Sequence, residues 1–467
     1  MRIQDRIVTA RTPDHISQTV TVSGWIHTRR DHGKITFFDL RDRWGLLQIV
    51  ASSTTTGPIK DLRPESVVTV VGTVVKRPER LINSQIPSGT VELQATSIEL
   101  ISAAKTPPFE IDKDTTHVDE ETRLRYRYLD LRSERMVKNL TIRHTLVTAI
   151  RQYLNDREFI EVETAMLTKG TPEGAREFIV PSRLHAGKFY VLPQSPQQYK
   201  QLLMVAGFDR YYQIARAFRD EDQRGDRQPE HTQLDLEMSF VTQEDVLDFM
   251  EGLFTNVVAQ HFPTKHLTAS PWPRLTYQES MKRYGTDKPD LRTNKADGDE
   301  LAFGFVTDFP LFAKDPETGK LDAEHHPFCM PHPDDIDKLE SHPEQVRAWS
   351  YDMVLNGFEI ASGSIRIHQP DLQQRIFQLM GLSDAEVQDR FGHMLEAFRY
   401  GAPPHGGMAP GIDRIAMILA REPNIREVMA FPKTGDAREP LTGAPTALID
   451  QRLQDVHIQL LPSPTRS

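Results

Sequence analysis

Cysteine is nearly missing: Cys329 is the only one in 467 residues. A single thiol excludes a disulfide scaffold and a four-cysteine zinc centre, and it fits a reducing cytosol. No run of about 18 apolar residues occurs, and mean hydropathy is −0.48, so no membrane span is expected. Residues 1–6 are charged and lead into no apolar core, so a secretory signal is not expected and a cytoplasmic location is. Motifs are missing as well. Gly33-Lys34, Gly187-Lys188 and Gly319-Lys320 are not followed by Ser or Thr, which removes the Walker phosphate loop. Neither GxGxxG nor GxSxG occurs, which removes the usual dinucleotide and hydrolase fingerprints. A nucleotide bound here must be held by arginines and metal ions. The net charge of −10 argues against general affinity for nucleic acid. The charge is uneven, however: residues 1–104 carry +3 and the remainder −13. That asymmetry permits a nucleic-acid-binding module on an acidic enzyme body.

What is present falls into two parts. In the first hundred residues Val20, Val22 and Ile26 alternate with polar neighbours, as a half-buried strand requires. Runs at 35–40, 46–50, 67–75 and 90–100 are rich in β-branched residues, and Asp42-Arg43-Trp44-Gly45 reads as a tight turn. Five short strands suit a small closed barrel, and the oligonucleotide-binding (OB) barrel is the commonest five-stranded one. Residues 1–104 are expected to form it. Adjacent prolines and charges in 105–116 predict a hinge, drawn as 105–132. Ser133 offers an N-cap, and Met136, Leu140, Val147, Ile150 and Leu154 form one apolar stripe of a helix over 133–157. Residues 159–162 read as a strand. Helix and strand patterns then mix, so the body (133–442) is α+β. Residues 443–467 are left as a C-terminal extension, frayed at its end.

Four segments place unusual polarity among apolar residues. The first is Phe218-Arg219-Asp220-Glu221-Asp222, followed by Gln233-Leu234-Asp235-Leu236-Glu237, where alternation puts Gln233, Asp235 and Glu237 on one strand face. A solvated charged hairpin is the plain alternative. The second is 407–417, where Arg414 opens an apolar helix. A cation beside the positive helix end is unfavourable unless an anion offsets it. In the third, Asp352 and Glu359 flank an Asn356-Gly357 turn signal, so a hairpin can bring two carboxylates together, a familiar way to hold Mg²⁺ on phosphates. The fourth, 194–200, is polar and leads into an apolar helix.

In this order the segments resemble a class II aminoacyl-tRNA synthetase, specifically the bacterial-type aspartyl-tRNA synthetases. FRDED (218–222) with RQPEHTQLDLE (227–237) resembles motif 2, GIDR (411–414) motif 3, and the helix 133–157 with FIEVETAML (159–167) motif 1; YGTDKPDLR (284–292) and QSPQQYKQLLM (194–204) resemble the aspartate branch. The resemblance implies an anticodon-binding OB barrel before a six- or seven-stranded antiparallel sheet flanked by helices. It also implies a homodimer, and ATP-dependent ligation of L-aspartate to tRNA(Asp) through an aspartyl-adenylate. Arg219 and Arg414 match the catalytic arginines, on the α- and γ-phosphate. Glu221, Gln228, His231, Glu359, Gly411, Ile412 and Asp413 match ATP-binding positions, and Asp352 and Glu359 the Mg²⁺ carboxylates. Glu173, Gln197, Lys200, Arg219, Asp235, His325 and Arg366 match the aspartate site, with Lys200 and Arg366 on the side-chain carboxylate and Thr171-Pro172-Glu173-Gly174 as a lid loop. Arg30, Phe37, Gln48 and Glu92 fall where the family reads the anticodon. Barrel core is the alternative for Phe37, since only one of Phe37 and Phe38 can face inward.

The chain also departs from the pattern. Bacterial members carry a large insertion after YGTDKPDLR, and here only 293–300 separates Arg292 from Leu301. Ala165 stands where motif 1 has proline, and His231 where a phenylalanine stacks on adenine. His32 resembles members that also charge tRNA(Asn), whereas Arg80 resembles discriminating members. Other readings stay open: an asparaginyl- or lysyl-tRNA synthetase of the same subclass, a non-catalytic paralogue, and a zinc site at His326, Cys329 and His332. Paired cations favour a dicarboxylic substrate, and retention of Arg219, Arg414, Asp352 and Glu359 favours catalysis.

Overall fold

A computed structural model describes residues 5–52, 55, 63–170, 175–314 and 319–461, in two compact units, 1–137 and 138–467. In the first, β1 (Thr19–His32), β2 (Ile35–Asp42), β3 (Gly45–Ser52), β4 (Val67–Lys76) and β5 (Val91–Ser102) close a barrel in the order β1-β2-β3-β5-β4. Alternation does the work: Val68, Val70 and Val74 of β4 point inward with Val22, Ile26, Phe38, Leu40, Leu47 and Ile49. Arg43-Trp44 is the two-residue turn between β2 and β3. The stretch 105–132 is held within this unit. Thr115 donates to buried Asp130 at 2.8 Å, and Arg132 reaches Glu65 on the barrel at 2.8 Å, with Arg41 on the same carboxylate at 2.6 Å.

The second unit is built on an eight-stranded sheet. Its strands are β6 (Ile160–Glu161), β9 (Arg210–Phe218), β10 (Glu230–Ser239), β11 (Arg274–Thr276), β12 (Phe303–Thr307), β13 (Ser350–Leu355), β14 (Phe358–Ile365) and β15 (His405–Met408); β7 (Ile179–Pro181) and β8 (Phe189–Val191) form a separate hairpin. The order across the sheet is β11-β12-β13-β14-β15-β10-β9-β6. The centre is antiparallel, but the edge pairs β6·β9 and β11·β12 are parallel. This differs from the expected six or seven antiparallel strands. The additional edge strands are two and three residues long, too short to carry a periodic signal.

Helix α1 (Glu134–Asn155) is capped by Ser133, whose hydroxyl accepts from the Met136 N–H at 3.4 Å. Leu146, Ile150, Tyr153 and Leu154 of α1 pack on the sheet with α3 (Gln243–His261) and α4 (Ile412–Ala420). Helix α2 (Gln197–Val205) instead carries polar buried residues, Gln197, Lys200 and Gln201. Both faces of β10 are buried: Leu234, Leu236 and Met238 join the core, and Gln233, Asp235 and Glu237 face the other way.

The Asn-Gly turn forms as the sequence predicts. Asn356 and Gly357 have φ of +52° and +86°, the mirror-image turn that matches strand twist. The Asn356 side chain also accepts from Ala302 N–H at 2.8 Å and donates to Glu300 O at 2.9 Å, tying the turn to the stretch that leads into β12. Asn356→Ala should therefore cost about 2 kcal/mol from two lost hydrogen bonds and a strained turn residue. Urea unfolding checks this, and a change below about 0.5 kcal/mol would contradict it.

Candidate active site

A cavity of about 350 Å³ opens above the centre of the sheet. Its floor is β10 and β14, one wall is α2, and the others are the 219–229 loop between β9 and β10 and the start of α4. Gln197, Lys200, Arg219, Glu221, Gln228, His231, Asp235, His325, Glu359, Arg366, Gly411, Asp413 and Arg414 all line it. Residues 171–174, Glu173 among them, lie outside the described residues.

The deep end is an ion cluster. Lys200 Nζ lies 3.0 Å from Asp235 Oδ1 and 3.1 Å from Glu237 Oε2, and Arg366 Nε donates to Glu237 Oε1 at 2.9 Å. All four side chains are at most 2% exposed. Burial alone would raise the Glu237 carboxyl, but Arg366 and Lys200 hold it down at about 2. The Asp235 carboxyl is raised, because burial outweighs Lys200 there. Arg366 Nη1 donates to Ser364 Oγ and to His326 Nε2, both at 2.7 Å. A guanidinium has no acceptor, so His326 Nε2 must be unprotonated. Burial, then Arg366, keep the His326 imidazole well below its usual range, in agreement. This arrangement counts against the zinc alternative: Arg366 engages His326 Nε2, and His332 caps the turn at 333–338. Among the described residues no three candidate ligands meet.

Beside the cations runs a polar relay. His405 Nδ1 donates to Pro403 O at 2.8 Å, so Nε2 accepts, here from the Gln201 amide at 3.2 Å. Gln201 Oε1 in turn accepts from Gln197 Nε2 at 3.1 Å. The Gln197 carbonyl oxygen is left for the cavity, an acceptor suited to an ammonium group.

The shallow end is rich in arginine. Arg219 makes no ion pair among the described residues, and its buried Nε has no hydrogen-bond partner there. An orphaned buried donor is costly unless a ligand meets it. Arg414 does find the offsetting anion that its helix position demands: Asp226 lies at 3.0 Å, and Arg414 also donates to Glu359 O at 2.6 Å. Glu221 pairs with Arg227 at 3.2 Å, and the Gln228 amide is exchanged with the Lys433 backbone. Burial, then Arg219, push the His231 imidazole down to about 4, so the ring is neutral. One of the expected positions is turned inward, and another is already engaged. Ile412 does not line the cavity, because its side chain is in the core. The Asp413 carboxylate is taken by Thr232 N–H and Arg143. Asp352 lies behind His325, whose Nε2 is 3.3 Å from Oδ1. Burial and the charge of Asp352 both raise the Glu359 carboxyl.

The barrel presents a second group. Register puts Arg30 opposite Phe37, and Asp39 opposite Gln48, on its outer face, with Gln48 Nε2 donating to Glu92 at 3.1 Å. Phe38, at 2% exposed, fills the core instead, so Phe37 is not a core residue. His32 is exposed and meets the Phe37 ring edge-on at 5.8 Å, and Arg80 is exposed between β4 and β5.

Comparison with known proteins bears on both groups. A family model described as class II tRNA synthetases (D, K and N) matches residues 119–435, and one described as an OB-fold nucleic acid binding domain matches 20–101. The chain belongs to the class II tRNA synthetases of the D, K and N group. The aspartate–tRNA(Asp/Asn) ligase of Rubrobacter xylanophilus is 44% identical, with 96% of this chain and 95% of that protein covered. The aspartate–tRNA ligase of Geobacillus kaustophilus is 39% identical, with 96% and 97% covered. The Rubrobacter alignment runs over 572 residues against 467 here, so that synthetase holds segments this chain lacks. The crystal structure of an asparaginyl-tRNA synthetase from Pyrococcus horikoshii with asparaginyl-adenylate shares the fold, with TM-score 0.72, 23% identity, and 90% of this chain and 96% of that one covered.

Sequence reasoning about this synthetase gave no such role to Glu237, Gln201, Ser364 and His405, and weighed His326 only as a zinc ligand. The strand alternation did put Glu237 beside Asp235; only the fold shows it lying between the two cations. Glu237→Gln should destabilise the protein by roughly 3 kcal/mol at pH 7. The folded carboxyl titrates at about 2 against an ordinary 4.5, so its contribution is complete above pH 4.5 and is lost as pH falls through 2. The gap between wild type and variant in urea unfolding should shrink by about half or more at pH 3; an equal gap at both pH values would contradict this.

Proposed function

We propose that this synthetase ligates L-aspartate to tRNA(Asp), and also to tRNA(Asn), in two steps. One observation carries the aspartate reading: two cations, Lys200 and Arg366, stand buried at the cavity's deep end, held there by Asp235 and Glu237. A side-chain carboxylate would be drawn to them, and an arginine can grip it in a bidentate manner. The amide of asparagine would set donors against donors, so rejection is strong. The Gln197 oxygen and Asp235 lie beside the cations and would receive the α-ammonium.

In the first step an oxygen of the aspartate α-carboxylate attacks the α-phosphorus of ATP, and pyrophosphate leaves. In the second, the terminal 3′-hydroxyl of tRNA attacks the activated carbonyl, and AMP leaves. Neither step needs a protein nucleophile, so positioning and charge neutralisation are the catalytic means. Arg219, with its orphaned Nε, suits the α-phosphate and α-carboxylate, and Arg414 the γ-phosphate. The neutral His231 ring would lie against adenine, with less area than a phenylalanine. Glu221, Gln228 and the backbone at Gly411, Ile412 and Asp413 complete the nucleotide site. Asp352 and Glu359 fit Mg²⁺: burial and the charge of Asp352 raise the Glu359 carboxyl, and a hard cation held by both would offset that repulsion. Bound there, Mg²⁺ would neutralise the triphosphate.

The outer barrel face, with Arg30, Phe37, Gln48 and Glu92, suits unpaired anticodon bases, an aromatic for stacking and an amide and carboxylate for base edges. His32 and a relative named for both tRNAs favour tRNA(Asn) as a second substrate. We place the missing segments of this chain at 293–300, and read the protein as a cytoplasmic homodimer. The test is ATP–pyrophosphate exchange with each amino acid, followed by acylation of each tRNA. Exchange should require aspartate, fail with asparagine and lysine, and be followed by charging of both tRNAs. Exchange driven by asparagine would overturn the reading. Exclusive charging of tRNA(Asp) would overturn its second part.

A further inference from the structure

The β7–β8 hairpin takes no part in the chemistry above. Register pairs Ile179 with Val191, Val180 with Tyr190 and Pro181 with Phe189, so Ile179 and Phe189 share one face and Tyr190 lies on the other. Both faces are open: Ile179, Phe189 and Tyr190 are 62%, 45% and 38% exposed, and Leu184 at the tip is 72% exposed. A bare two-stranded hairpin is marginal in water, and an apolar surface of this kind marks an interaction site.

The surrounding charge indicates the partner. Residues 178–208 contain no Asp or Glu, in a chain of net charge −10. Arg183 and Lys188 flank the tip, are exposed, and make no ion pair among the described residues. Exposed rings interleaved with unpaired cations suit a single-stranded polyanion, with bases to stack and phosphates to neutralise. The hairpin is also rooted at the cavity. Leu192 N–H donates to Phe178 O at 2.9 Å, Phe218 N–H to Pro193 O at 3.0 Å, and Asp220 N–H to Arg176 O at 2.9 Å, on either side of Arg219.

We propose that hairpin 179–191 receives the unpaired 3′ end of tRNA on its way into the cavity, with bases stacked on Phe189 and Tyr190 and phosphates held by Arg183 and Lys188. This rests on the ligase reading above, and the experiment separates the two. Pyrophosphate exchange needs no tRNA, so R183E/K188E and F189S/Y190S should each keep wild-type exchange while the KM for tRNA rises about tenfold. For R183E/K188E, the slope of log Kd against log salt should fall by about 1.4, two single-strand phosphate contacts. Against tRNA lacking its unpaired 3′ nucleotides, wild type and variants should bind alike in a filter assay. An unchanged KM, an equal loss with shortened tRNA, or a shift to a smaller sedimenting species would overturn the proposal. No exchange in the unmodified protein would overturn the ligase reading, and this proposal with it.

Discussion

Glu237 stands between Lys200 and Arg366, and the site depends on that one buried carboxylate. Two bare cations at this depth would be prohibitively costly. Glu237 meets both of them, and Asp235 meets Lys200 at 3.0 Å, so the two positive side chains can be held there without water. Packing around the cluster is correspondingly tight. A methyl at Gly407 would collide with the Leu236 carbonyl and the Glu237 carboxylate, so only glycine lets β15 approach β10 there.

Elsewhere along the cavity, polar groups are satisfied only in part. The relay from His405 through Gln201 uses up every polar atom except the Gln197 oxygen. Arg219 keeps an unmet donor, while Arg414 is steadied by Asp226 at 3.0 Å on the loop opposite. Each group is held in place by neighbours that leave one function free, which is what preorganisation for a charged ligand requires.

Much of this was legible in the sequence, for stated reasons. The barrel follows from β-branched alternation, and the β13–β14 hairpin from Asn356-Gly357, whose positive φ values few other pairs tolerate. The cavity residues were reached through motif resemblance, and most line one space. What was not legible depends on distant encounters. Arg366 meets His326 across 40 positions, and Asn356 meets Glu300 across 56. Neither contact leaves a local pattern. The choice between Phe37 and Phe38 needed the register itself, since alternation permits either. The two- and three-residue edge strands owe their form to neighbours rather than to their own residues.

The central claim is that the buried cations Lys200 and Arg366 select a dicarboxylic amino acid. Calorimetric titration of the wild type and of Lys200→Met with aspartate and asparagine addresses it most directly. The account predicts that the wild type binds aspartate at least about a thousandfold more tightly than asparagine, and that the ratio collapses toward unity in the variant. Comparable affinities in the wild type, or an undiminished preference without Lys200, would contradict it.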